Sequence, residues 1–238
     1  MSGTKLAASS IKKLVMIALF CALAYVTMFV LRIKVSFLTF DAKDAIITLA
    51  GLLFGPLASL VISLTVALIE MISVSDTGFW GFLMNFLSSA AFSCTAALIY
   101  KFKRSIKGAI IGLTASVFVT TAVMMLLNLI ITPIYTGQPS SVIATMIPTL
   151  LFPFNLTKSV LNMALVLILY KPVSRAMKAA KVIRVAGLEA TEAVDDHAQS
   201  SKKSSVLTSV LVLGLGLVLV AISVTVFIVV LGGHFALI

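Results

Sequence analysis

Lys158 is the residue whose chemistry most needs an explanation. It lies inside the apolar run 154–170, and an ionisable side chain in such a run is costly unless it faces a cavity or a partner. Asn155, three residues earlier, shares its helical face. Together an amide and an ammonium can serve the carbonyl and ring-nitrogen acceptors of a polar heterocycle. Asn85 and Asn128 fall in two other apolar runs at a similar depth. The polar segment between the first two runs holds Leu38, Phe40, Asp41, Ala42, Lys43 and Asp44. Two other readings of Lys158 stand beside ligand binding: snorkelling to the membrane surface, and a structural ion pair with Asp41 or Asp44.

Other reactive residue types form no constellation. There is no nucleophile with a base and an orienting group, no HExxH, and no glycine-rich phosphate loop followed by lysine. Such a chain is not expected to be an enzyme or to hydrolyse ATP by itself, and no catalytic cofactor is implied. Cys21 and Cys94 both lie in apolar runs and build neither a disulfide framework nor a metal set. His197 falls in a polar linker and His234 in the tail. Glu70 and Asp76 read as solvated groups or caps at a helix end.

The elements that carry these residues follow from hydropathy. Of 238 residues, 61% are hydrophobic and 11% charged, against about 25% charged in soluble domains. Lipid must therefore be the solvent for much of the surface. Long continuous apolar runs, without period-two alternation, predict helices instead of a barrel. The net charge of +10 comes in short clusters between those runs, the pattern of positive-inside loops and not of a nucleic-acid surface.

Clear spans are 14–31, 79–100, 108–131, 154–170 and 206–231, each near the roughly 20 residues a crossing needs. Lys12 and Lys13 before the first run, and Ala22-Leu23-Ala24 within it, resemble a signal peptide. Hydrophobicity continues through Val30 and Leu31, however, and predicts a retained helix. The stretch 45–73 is long for one helix and is broken by Gly55-Pro56. Charge decides its count. With the N-terminus in the cytoplasm, a single crossing would put the basic clusters at 101–107 and 171–203 outside; two crossings put both inside. Only Arg32, Lys34 and Lys43 then lie outside, with Lys158 in a helix.

The expected fold is therefore an all-α membrane protein with a six-helix core over residues 1–176. A cytoplasmic polar linker over 177–205 and a seventh, uncharged, lipid-facing helix with a short tail over 206–238 follow. The C-terminus falls outside the cell membrane.

On this six-helix core, Phe37-Leu38-Thr39-Phe40-Asp41-Ala42-Lys43-Asp44, Leu53-Phe54-Gly55-Pro56, Asp76-Thr77-Gly78 with Met84-Asn85-Phe86, and Pro153-Phe154-Asn155-Leu156-Thr157-Lys158 occur in order. The chain resembles, over about residues 11–176, the S components of energy-coupling factor (ECF) transporters, in particular the riboflavin-binding type. The resemblance implies a vitamin-binding subunit that captures riboflavin from outside and works with a transmembrane coupling subunit and two ABC-type ATPases. It implies ligand contacts from Leu38, Phe40, Asp41, Ala42, Lys43, Asn85, Asn128, Asn155 and Lys158. Asn155 stands where the resemblance leads one to expect an aspartate. Ala18 and Ala22 match an Ala-x-x-x-Ala surface for the coupling subunit, a spacing that permits close helix approach. The seventh helix departs from the six-helix pattern. Alternative readings are an S component for another vitamin and an autonomous secondary transporter, although no internal repeat supports the latter.

Overall fold

The computed structural model describes residues 2–30, 32–75, 77–179 and 202–235. Among them, six helical stretches are long and apolar enough to cross a membrane. Large apolar side chains such as Leu14, Phe118, Leu126, Ile130 and Val210 lie exposed on their flanks. Lipid is the environment in which such a surface carries no penalty.

Helix α1 (Ser2–Val30) leads into a hairpin of β1 (Arg32–Val35) and β2 (Leu38–Asp41). Then come α2 (Lys43–Phe54), α3 (Pro56–Ser73), α4 (Gly78–Phe102) and α5 (Ile106–Thr136). A helical run follows: α6 (Ser140–Met146), a π-turn (Ile147–Leu151) and α7 (Phe152–Ala179). Helix α8 (Lys202–Thr225), a second π-turn (Val226–Val230) and β3 (His234–Phe235) complete the described chain. Helices α1–α5 and α7 form the core; α8 is the additional C-terminal helix and packs on α7. The expected linker over 177–205 has its middle, with Glu189, Glu192, Asp195, Asp196 and His197, outside the described residues, as is Asp76.

The stretch 45–73 forms two helices broken at Gly55-Pro56, as expected; α2, with 12 residues, is not among the six stretches long enough to cross a membrane. Gly55 has φ +98°, a conformation costly for any residue with a Cβ. Pro56 then opens α3 at a position where no N–H is needed. Gly112 has a different use: a Cβ there would lie 2.9 Å from the Ala96 carbonyl oxygen, so its absence lets α5 lie close against α4.

Two features were not expected. The segment after α1 is a β-hairpin, with Arg32 opposite Asp41 and Ile33 opposite Phe40; β3 pairs with the free side of β1 to make a sheet in the order β2-β1-β3. The sixth core helix also begins well before residue 154. Pro148 and Pro153 do not end the run. Pro153 lacks a donor, and the chain accommodates the two prolines by widening, with the Phe152 N–H bonding to the Ile147 carbonyl five residues back.

Candidate binding site

The hairpin closes one end of the bundle, and beneath it lies a cavity of about 180 Å³. The hairpin and four helices line it. The hairpin contributes Arg32, Phe37, Leu38, Thr39 and Asp41. The end of α3 and the turn after it contribute Glu70, Val74, Ser75 and Thr77. One face of α4 contributes Gly81, Met84, Asn85 and Ser88, at helical spacing. Met124 and Tyr135 from α5 and Phe154, Asn155 and Lys158 from α7 close the far wall.

Of the residues singled out from sequence, Leu38, Asp41, Asn85, Asn155 and Lys158 meet in this cavity. The others do not line it. Phe40 points to the opposite face of the hairpin and is fully buried among apolar side chains. Ala42 is buried just before α2. Asn128 is buried on α5, with its Nδ2 donating to the Met124 carbonyl at 2.7 Å and its Oδ1 accepting from Thr132 at 3.0 Å. A side chain spent on its own helix in this way is turned from the cavity.

Lys43 opens α2 and is 1% exposed. Its ammonium lies 3.2 Å from Asp41 Oδ2 and 2.6 Å from Glu70 Oε2. Glu70 is therefore the partner of a buried cation, and the expectation of a solvated or capping carboxylate is corrected by that contact. Sequence distance hid the pair, since 27 residues and a helix reversal separate its members. On the hairpin, burial would push the Asp41 carboxyl up, but the Lys43 ammonium, and behind it Lys158, hold it below the ordinary carboxylate value.

Lys158 is held more loosely. Its nearest carboxylate oxygen is Asp44 Oδ2, at 3.9 Å, beyond hydrogen-bonding range. The other Asp44 oxygen accepts a bond from Ser89. Asn162, one turn after Lys158, accepts from the Ala45 N–H at 3.0 Å and donates to the Lys158 carbonyl at 3.1 Å. It thereby satisfies one orphan donor of the α2 N-terminus from another helix and ties α2 to α7. Asn155 Nδ2 donates to the Leu151 carbonyl at 2.8 Å, within the π-turn; its carbonyl oxygen remains to accept.

The cavity thus offers an ammonium, an amide carbonyl, the Asn85 amide and the Tyr135 hydroxyl between apolar walls from Leu38, Met84, Met124 and Phe154. That is a binding surface for a flat, partly polar ring. Sequence reasoning missed Arg32, Glu70, Tyr135 and Ser88. Tyr135 lies two turns beyond Asn128, and Ser88 three residues after Asn85, so helical spacing from a chosen asparagine would have reached both.

Comparison with known proteins agrees with this architecture. Residues 12–174 match the family model described as the substrate-specific component of ECF transporters. The riboflavin transporter RibU of Staphylococcus aureus (strain TCH60) is 30% identical over 177 residues, covering 70% of this chain and 93% of that protein. A solved structure of the S component of a bacterial ECF transporter superposes with a TM-score of 0.61 at 30% identity. It covers 71% of this chain and 99% of that one.

Proposed function

This chain belongs to the substrate-specific components of ECF transporters, and from that premise we propose that it captures riboflavin in the cavity beneath the hairpin. The observation that carries the reading is the convergence of Asn85, Asn155 and Lys158 on one cavity with Leu38 and Asp41. The similarity to a riboflavin transporter supports the choice of vitamin. Leu38, Asp41, Asn85, Asn155 and Lys158 contact the ligand directly. Phe40, Ala42, Lys43 and Asn128 shape and hold the walls. The protein binds and releases its cargo without changing it.

The hairpin end faces the outside of the cell membrane in this reading, with the N-terminus in the cytoplasm and the C-terminus outside. The basic clusters at 101–107 and 171–175 then face the cytoplasm, as the positive-inside rule favours. Uptake is driven by two partner ATPases through a transmembrane coupling subunit. Ala18 and Ala22 both lie exposed on α1, away from the buried Phe20, Cys21, Ala24 and Met28. They are thus free to let a partner helix approach closely.

The test is a fluorescence titration of the purified protein with riboflavin. Burial of the ring in the cavity quenches its emission, and flavin absorbance accompanies the protein through purification. Tight binding of thiamine or biotin with no quenching by riboflavin would transfer the site to another vitamin.

A further inference from the structure

The cavity hairpin has two faces, and the six-helix core occupies only part of them. Arg32, Thr39 and Asp41 look into the cavity. Ile33, Val35 and Phe40 are directed the other way and are at most 1% exposed. What covers them is α7 together with the end of the C-terminal helix. The Phe227 ring, 0% exposed, lies 5.3 Å from the Phe40 ring and 5.3 Å from the Phe154 ring. Phe154 itself lines the cavity, directly before Asn155.

The chain beyond Phe227 reinforces this contact. The Gly233 N–H donates to the Phe227 carbonyl at 2.8 Å, turning the backbone back so that β3 pairs with β1, Ile33 opposite Phe235 and Lys34 opposite His234. A Cβ on Gly233 would lie 2.8 Å from Val35 Cγ2 and 3.1 Å from Ile33 Cγ2, so backbone rests directly on the hairpin. Along its length α8 rests on α7, where a Cβ on Gly216 would meet Ile168 Cγ1 at 2.7 Å. The family match ends at residue 174, so α8, the turn after it and β3 lie beyond the segment that the family describes.

We propose that the C-terminal helix is a strap that holds the hairpin over the ligand cavity, with Phe227 as a positioning residue that sets how fast ligand leaves. The inference rests on the cavity being the ligand site. A two-stranded hairpin is marginal by itself and needs a further strand or a packed face to be stable; β3 and Phe227 supply both. Ligand held beneath the hairpin leaves only when the hairpin lifts, and lifting separates Phe40 from Phe227 and β1 from β3. The strap therefore acts on the dissociation rate through an opening equilibrium confined to this region.

Hydrogen exchange on the unliganded full-length protein tests the strap independently of the vitamin. In Phe227→Ala, the amides of residues 33–40 exchange about tenfold faster or more, while those of α4 and α5 keep wild-type rates. Riboflavin dissociation, followed by recovery of fluorescence, accelerates by about the same factor, because both report one opening step. Phe227→Leu, which restores apolar volume, returns both rates most of the way, and Val229→Ala on the exposed side of the same turn changes neither. Should Phe227→Ala not fold, Gly233→Val decides, since its side chain must push on Val35 and Ile33 and give the same local acceleration. Wild-type exchange across the hairpin in a folded variant overturns the proposal. So does acceleration spread evenly over α4 and α5, which would make Phe227 an ordinary core residue. If wild-type protein shows no affinity for riboflavin while the exchange pattern holds, the ligand assignment fails and the strap stands.

Discussion

Lys43 and Lys158 are both buried at the hairpin end of the bundle, 1% and 8% exposed, yet the surrounding structure uses them in opposite ways. Lys43 is clasped by two carboxylates, at 3.2 Å and 2.6 Å. Lys158 faces a cavity, and its nearest carboxylate oxygen is 3.9 Å away and part of a group already engaged by Ser89. Burial does not distinguish a structural cation from a ligand-binding one; the distance to its counter-charge does. An ammonium whose donors are taken fastens helices together. One whose carboxylate is out of hydrogen-bonding range keeps donors for a ligand while still having its charge balanced.

This contrast predicts unequal outcomes for the same substitution. Lys43→Met leaves Asp41 and Glu70 buried together without a cation, and breaking a buried pair from one side costs about 3–5 kcal/mol. The expected result is a large drop in thermal stability in detergent, with ligand binding lost as a consequence. Adding Asp41→Asn and Glu70→Gln should recover much of the stability. A Lys43→Met protein that melts like wild type would show the cluster to be no structural clasp.

Lys158→Met should leave the melting temperature close to that of wild type. On the proposed assignment it removes a charge-assisted hydrogen bond to the ligand worth about 1.5–3 kcal/mol, or roughly tenfold to more than a hundredfold in dissociation constant. A titration in which mutant and wild type coincide would take Lys158 out of the site and return it to a purely structural pairing with Asp44.

The smallest effect concerns pH. Asp41 lies on the hairpin with its carboxyl held below the ordinary value, near 3.9 when unperturbed. A carboxylate depressed in the folded state contributes its full stability above the unfolded value and loses it as pH falls through the folded one. The contribution of Asp41 to stability should therefore be constant between about pH 5.5 and 8, and should decline only at more acid pH. Asp41→Asn would flatten that acid limb. A wild-type transition centred near neutrality would contradict the assignment.

Much of the architecture was legible because the signals were local. Each apolar run declared a helix, and Gly55-Pro56 marked the break between α2 and α3. Lys158 and Asn155 stood out because each is out of place by type alone. The hairpin was harder. Its strands have four residues each, and its turn at Ser36-Phe37 lacks the Asn-Gly or Asp-Gly pair that marks a tight hairpin. Ser36 takes a positive φ of 54° without being glycine. Asn128 was legible as a polar residue in a helix, but its bond back to Met124 was not.

The sequence by itself determined that the chain lives in lipid, where its long apolar helices run and which polar residues are anomalous. Hydropathy, charge and proline geometry act on each segment without reference to a partner. Tertiary structure alone decided that Lys43 is tied to Glu70 while Lys158 is left facing a cavity. It also decided that an apparently featureless C-terminal helix seats Phe227 against Phe40 and Phe154. These pairings join residues from distant segments, and a side chain's function in a low-dielectric interior depends on which group the fold brings within bonding distance.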